Sequence, residues 1–173
     1  MSVSVNDESL NPPGKLIRLR EPYPSDAPLI VEWRNASRKF FFGEDPITLA
    51  DHRQFMQRRD GFYFIIERIE DGKPVGVIAL YNVSYRHKRA EYGRFLIAPE
   101  ERRKGYGEEA LRLLLRFAFG ELGLFKVYGD ILSNNHAAIR LDRKIGFFKE
   151  ALFPKHVLKD GKRHNVMRMA IFQ

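Results

Sequence analysis

The chain has 173 residues, with 30 Lys and Arg against 22 Asp and Glu, a formal net charge of +8, and 44% hydrophobic residues including 14 Phe. That length suits one domain burying about 70% of its unfolded surface, which excludes disorder for most of the chain. The sequence has no cysteine, which excludes disulfides, thiolate metal sites and a cysteinyl acyl-enzyme and fits a reducing cytoplasm.

Residues 1–14 are polar, end in Asn11-Pro12-Pro13-Gly14 and lack the basic-then-apolar pattern of a signal peptide. They read as a flexible arm ahead of a single domain spanning 15–173. Leu16-Ile17-Arg18-Leu19-Arg20 alternates as a strand and stops at Pro22 and Pro24. Ser25 and Asp26 are placed to cap a helix with Leu29, Ile30 and Trp33 on one face. Phe40-Phe41-Phe42-Gly43 makes an aromatic loop. Thr48 and Asp51 form a capping-box pattern that opens a helix running to about residue 57.

Strands follow at 62–66, 75–83 and 89–97, the first two joined by the turn Asp71-Gly72. The longest apolar stretch, 74–81, is far too short to cross a membrane. Leu111, Leu114, Leu115, Ala118 and Phe119 share one helical face, ended by Gly120 and Gly123. A strand at 124–132, a helix at 134–145 stopped by Gly146, and strands at 147–152 and 166–172 around Asp160-Gly161 complete the chain. The class is α/β, in the order β-αα-βββ-α-β-α-ββ. The basic balance points to an anionic partner, whether nucleic acid, a membrane surface or a phosphorylated small molecule.

Between the strand ending at Ile97 and the long helix stands Arg102-Arg103-Lys104-Gly105-Tyr106-Gly107-Glu108. Two glycines let the backbone approach a ligand closely, and the amides of a helix start point at an anion. Three cations just upstream are suited to pair with phosphate, so the segment is built like a pyrophosphate cradle. A glycine-bearing loop with solvated charges is the alternative. Gly105-x-Gly107-x-x-Ala110 also fits the loose dinucleotide fingerprint, but seven residues separate Ile97 from Gly105, where that fold needs a glycine straight after the strand.

Arg102-x-x-Gly105-x-Gly107, after a strand ending at Ala98-Pro99, resembles the coenzyme A loop of the GNAT acyltransferases. Asn135-x-x-Ala138-Ile139, followed by Lys144-Ile145-Gly146-Phe147, resembles the family's Asn-x-x-Ala helix and its entry into the next strand. The resemblance spans residues 15–172. It implies a GNAT-like mixed, mostly antiparallel central sheet flanked by helices, and an N-acetyltransferase with acetyl-CoA as co-substrate. His136, His156 and His164 show no metal-ligand spacing, so no metal is expected. Trp33-Arg34-Asn35, His52 and Lys88-Arg89-Ala90-Glu91 resemble the branch acting on nucleotide-linked amino sugars, which stands beside spermidine and ribosomal-protein N-terminal branches. A nucleotide-linked amino sugar is therefore the favoured acceptor, in agreement with the basic charge.

The resemblance also implies roles. The backbone of Phe95, Leu96 and Ile97 pairs with the pantetheine arm. The amides of Arg103, Lys104, Gly105, Tyr106 and Gly107, with Glu108, hold the pyrophosphate, and Arg102 occupies the family's Arg/Gln position. Asn135 bonds the cofactor, and also reads as an ordinary helix cap. Glu91 holds the place of the carboxylate that accepts the amine proton, or else pairs with Arg89 or Arg94. Trp33, Arg34 and His52 are candidate substrate contacts, with Trp33 and the Phe40–Phe42 loop alternatively packing the helix onto the sheet.

Where the family commonly carries a tyrosine acid, this chain has Asp142. Tyr128 or Ser133 supplies the hydroxyl instead, or no acid is needed, or Asp142 marks a changed donor or substrate, or it pairs with Arg140 or Arg143 at the surface. The substrate is expected to be a small amine, anionic overall, with no membrane partner and with a homodimer compatible with the edge strands. Two other readings stand beside this one. One is an altered domain that binds RNA or uses an aminoacyl-tRNA donor. The other is an enzyme for a polyamine, a peptide N-terminus or an antibiotic, of which the polyamine is opposed by the net charge.

Overall fold

The computed structural model describes residues 13–173 except 44 and 59. Ile17–Arg20 (β1), Gly61–Arg68 (β2), Pro74–Ser84 (β3), Arg89–Ile97 (β4), Lys126–Leu132 (β5), Phe148–Lys159 (β6) and Lys162–Phe172 (β7) form one sheet. Its order is β1-β2-β3-β4-β5-β7-β6, and every neighbouring pair is antiparallel except β4 with β5. The helices are Ala27–Ala36 (α1), Leu49–Met56 (α2), Tyr106–Arg116 (α3) and His136–Ile145 (α4). The sequence order of elements is thus the observed one, and the sheet is mixed and mostly antiparallel.

Strand alternation divides the core between two faces. Ile78 and Leu80 of β3 join Leu111, Leu114 and Phe117 in the main cluster under α3. Val77 packs instead with Trp33 of α1, Leu96 and Ala98. Leu29, expected on the buried face of α1, is exposed, and Ala27 takes its place beside Ile30 and Trp33. The helical run expected to reach Phe119 gives way after Arg116 to a π turn, Phe117–Glu121, closed by the Leu122 N–H on the Phe117 carbonyl at 3.1 Å. That turn seats the Phe117 ring edge-on to Phe62 and Phe64. Of the expected arm 1–14, residues 1–12 lie outside the described residues. Gly14 donates to the Ile17 carbonyl at 2.9 Å, and the Lys15 and Leu16 N–H groups meet Glu109 of α3.

Two polar devices fix α1 and α2, which cover the face of the sheet that matters below. Thr48 caps α2 reciprocally: its hydroxyl accepts from the Asp51 N–H at 3.2 Å and its own N–H donates to the Asp51 carboxylate at 2.8 Å. Asn35 clamps the segment before α2, its side chain donating to the Ile47 carbonyl and accepting from the Ile47 N–H, both at 2.9 Å. Asn35→Ala leaves both Ile47 groups without a protein partner, so a loss of about 1–3 kcal/mol in urea unfolding is expected.

Candidate active site

β4 and β5 run together only through Arg89–Lys126, Ala90–Val127 and Glu91–Tyr128, although β4 continues to Ile97 and β5 to Leu132. Just past the last shared rung the Tyr92 ring lies over Gly129 on one face of the sheet, where an added Cβ would come within 2.3 Å of it. Beyond it β4 bulges: Val77 faces Leu96 while Ala79 faces Gly93, leaving Arg94 and Phe95 opposite Ile78 alone, with Arg94 at φ 49°. A bulge of this kind bends its strand and re-aims a side chain. The backbone of Phe95, Leu96 and Ile97 therefore has no partner strand on the β5 side.

The start of α3 closes one end of this cleft. Gly105, at φ 88°, turns the chain into the helix, a left-handed conformation natural to glycine. No hydrogen bond is recorded from the N–H groups of Tyr106, Gly107 and Glu108 to the described residues, so the positive end of the helix is open to an anion. A Cβ built on Gly107 would meet Phe95, Ile97 and Leu141 at 3.5, 3.6 and 3.7 Å. It would occupy the space between β4, α3 and α4 without striking the protein. That is room a narrow chain with a terminal pyrophosphate fits.

The side chains of the loop correct one expectation. Arg102 turns away from the cleft to donate to the Ile97 carbonyl at 3.2 Å and the Ser37 hydroxyl at 2.8 Å. Lys104 pairs at 2.7 Å with Glu101, a buried carboxylate also met by Lys73 and Arg68 and held by Lys104 and Lys73 well below its usual range. Arg103, at φ 66° and exposed, makes no ion pair among the described residues. So one cation, not three, stands free for a phosphate. Buried Glu101 has a stronger claim on Lys104, and Arg102 serves as a tie to the end of α1. Tyr106 buries its ring in the core, and the Glu108 carboxylate is taken by Lys144 at 2.6 Å and Arg112 at 3.1 Å, so these two residues offer backbone amides only. Asn135 caps α4, accepting from the Ala138 N–H at 3.3 Å, and no hydrogen bond from its side-chain NH₂ is recorded among the described residues.

Glu91 sits where β4 and β5 part. Its carboxylate accepts from the Tyr81 hydroxyl at 2.8 Å and the Asn82 amide at 2.9 Å, not from Arg89 or Arg94. Burial, then Glu91, push the Tyr81 hydroxyl well above the usual tyrosine range, so Tyr81 remains a donor. On the face of the sheet that carries Glu91, a cavity of about 290 Å³ opens between the sheet and α1 and α2; Glu91 does not line it but is linked to its wall through Tyr81, whose ring lies under Arg94 at 4.2 Å. Arg34, His52, Phe55, Tyr63, Arg94 and Leu96 are among its lining residues. His52 is buried, which pushes its imidazole below the usual range and keeps it neutral at pH 7. Trp33 does not line the cavity; it is buried behind it against Leu96 and Ala98, because α1 presents Trp33 and Arg34 on different sides.

Asp142 is 1% exposed and accepts a hydrogen bond from the Tyr92 hydroxyl. The surface pairing with Arg140 or Arg143 is thereby corrected. Asp142 follows Ile139 by three residues on the buried face of α4, while both arginines are exposed. Burial pushes its carboxyl up to about 7 against the pull of Tyr92. Tyr128 is instead the cross-strand neighbour of Glu91, with the Arg168 guanidinium stacked 4.5 Å over its ring and bonded to Asp130.

Three residues of this site are absent from the sequence reading: Tyr81, Tyr92 as the partner of Asp142, and Arg94 as a lining residue. Alternation along 89–97 puts Glu91 and Gly93 on one face. Only the bulge brings Arg94 there as well, and no residue in the stretch announces a bulge.

A family model described as an acetyltransferase (GNAT) domain matches residues 17–148. The spermidine N(1)-acetyltransferase of Escherichia coli is 31% identical over 144 residues, covering 80% of this chain and 76% of that protein. A putative ribosomal N-acetyltransferase of Bacillus subtilis is 29% identical over 168 residues, covering 91% and 90%. In structure, the spermidine N-acetyltransferase of Vibrio cholerae, solved in complex with CoA and spermine, superposes with a TM-score of 0.85 at 24% identity, covering 92% of this chain and 97% of that one.

Proposed function

This chain belongs to the GNAT acetyltransferase family and is an N-acetyltransferase, and we propose that it moves acetyl from acetyl-CoA directly to a primary amine held beside Glu91. The observation that carries this reading is the parting of β4 from β5 at Glu91, next to the free N–H groups at the start of α3. Residues 95–97 offer unpaired strand backbone to the pantetheine arm, and the amides of 106–108 with Arg103 face the pyrophosphate. Bound there, acetyl-CoA supplies the thioester carbonyl and the thiol that leaves. Glu91, fixed by Tyr81 and Asn82, accepts the proton released as the amine nitrogen acylates. The Tyr92–Asp142 pair occupies the place of the family's tyrosine and holds a proton for the departing sulfur. This role requires no nucleic acid and makes the RNA or aminoacyl-tRNA reading unnecessary.

The relatives do not support a nucleotide-linked amino sugar over other acceptors; the acceptors stated in their names are spermidine, FsC and, for a putative enzyme, the ribosome. For this chain the cavity argues against a polycation. It is lined by two arginines, and the one carboxylate among its described lining residues, Asp51, is already engaged by Thr48.

The test is thiol release from acetyl-CoA with a panel of polyamines, peptides, amino sugars and amino acids, preceded by a thermal shift with acetyl-CoA alone. Stabilisation by about 2–3 kcal/mol at a hundred times Kd is expected, and absence of both binding and turnover overturns the proposal. Gly107→Ala separates site from scaffold. Alanine favours the helix by about 0.5–1 kcal/mol, so the melting temperature holds or rises, while the added methyl weakens acetyl-CoA binding at least about tenfold, or about 1.4 kcal/mol.

A further inference from the structure

A guanidinium taken out of water normally finds a carboxylate, because an unpaired buried charge is expensive. Arg34 breaks that pattern. Its Nη1 is buried without a hydrogen-bond partner, the one side-chain nitrogen or oxygen in that state among the described residues. The Phe41 ring covers one face of the group, 3.3 Å from its central carbon. No carboxylate among the described residues pairs with it; the charged side chain nearest in effect is Arg94, of the same sign, and burial followed by Arg94 lowers its proton affinity.

Arg94 is held over the cavity by Tyr81 at 4.2 Å, Phe55 at 4.3 Å and Tyr63 at 5.0 Å. It bonds the Tyr63 hydroxyl and meets one carboxylate, Asp60, at 3.6 Å. Of the other titratable groups lining the cavity, Asp51 is engaged by Thr48 and His52 is neutral at pH 7. Two guanidinium groups thus face a space otherwise walled mainly by Ile30, Ile47, Phe55, Met56 and Leu96. Its volume of about 290 Å³ is at the small end for a ligand site.

From Arg34, which lines the cavity with no carboxylate partner among the described residues, and from Arg94 on the same wall, we infer that the acceptor carries its own anionic group, a carboxylate or a phosphate, which sits between these two arginines while its amine lies toward Glu91. This inference rests on the acetyltransferase reading above and narrows it to small zwitterionic or anionic amines. It also explains the arginine pair: two like charges beside one cavity repel, and an anion between them removes the repulsion.

Three matched primary amines test it, namely 2-phenylethylamine, 4-aminobutyrate and O-phosphoethanolamine, with spermidine as the polycation. kcat/KM for one of the two anionic amines should exceed that for the neutral amine and spermidine by about 100-fold, the size expected of charge-assisted bonds, and the better of the two identifies carboxylate or phosphate. In Arg34→Gln that ratio should fall below about 10, with Arg34→Lys between the two. Binding is read independently of turnover through Trp33, the only tryptophan and the neighbour of Arg34. The preferred anionic amine should change its fluorescence, with Kd raised at least about tenfold in Arg34→Gln.

A wild type that binds acetyl-CoA but prefers spermidine or phenylethylamine overturns the inference and leaves the acetyltransferase reading standing. Failure to bind acetyl-CoA overturns that reading instead. Anionic amines that leave Trp33 unchanged and are not acetylated in preference also sink the inference.

Discussion

Glu91→Gln is expected to lower kcat by about 10²–10³-fold at pH 7, within the range for loss of a general base, while KM for acetyl-CoA and the melting temperature stay near wild type. Glutamine keeps an oxygen for the Tyr81 hydroxyl, and its NH₂ donates to the Asn82 side-chain oxygen once that amide turns over; Tyr81 and Asn82 bond separate oxygens of the carboxylate at 2.8 and 2.9 Å, so the loop from β3 to β4 has no reason to move. What is lost is the proton acceptor at the point where the strands part. The deficit should shrink as pH rises toward the amine's own pKa, near 10 for an alkyl amine, because the acceptor then arrives already neutral. Thiol-release rates across pH 6.5 to 9.5 decide the matter. Wild-type kcat at pH 7 would move the base elsewhere, and His52, neutral and lining the acceptor cavity, is where to look next.

The local signals of this chain were readable because each is enforced within a few residues. Thr48 and Asp51 make their reciprocal cap, Gly146 ends α4 at φ 116°, and the leucines of α3 face the core. Gly105 and Gly107 marked the anion-facing helix start for the same reason: turning and close approach are properties of single residues. The failures that shape the site are mostly pairings across the fold. Arg102 finds Ser37 across 65 positions, and Asp142 finds Tyr92 across 50. Strand β6 extends to Lys159 although its sequence stops alternating, because as an edge strand it is mostly exposed, and it slips register around Pro154 between Phe153 and Val157. The bulge at Arg94 belongs with these. Its two-against-one count is set by how β3 and β4 meet, and the side chain that defines the acceptor cavity arrives there only as a result.

Asp142 gives the second large effect, and it changes sign with pH. In the unfolded chain this carboxyl titrates near its ordinary 3.8, whereas in the fold burial raises it to about 7. Between those values the folded state holds the extra proton, so stability falls as pH rises through this window and is level above it. About three pKa units correspond to about 4 kcal/mol. Asp142→Asn removes the titration while keeping an oxygen for the Tyr92 hydroxyl. Guanidinium unfolding should therefore show the variant gaining about 2–4 kcal/mol on wild type between pH 4.5 and pH 8, and a constant difference would mean the carboxyl ionises normally. Activity should move the other way. If the pair hands its proton to the departing sulfur, wild-type kcat declines above pH 7 as Asp142 ionises and repels the thiolate. Asp142→Asn then loses that limb and runs about tenfold below the wild-type maximum, a modest cost because a thiol of pKa about 8.5 leaves readily. Tyr92→Phe separates the partners. It should leave the limb in place if Asp142 is the donor, and abolish both the limb and the rate if the tyrosine hydroxyl carries the proton onward.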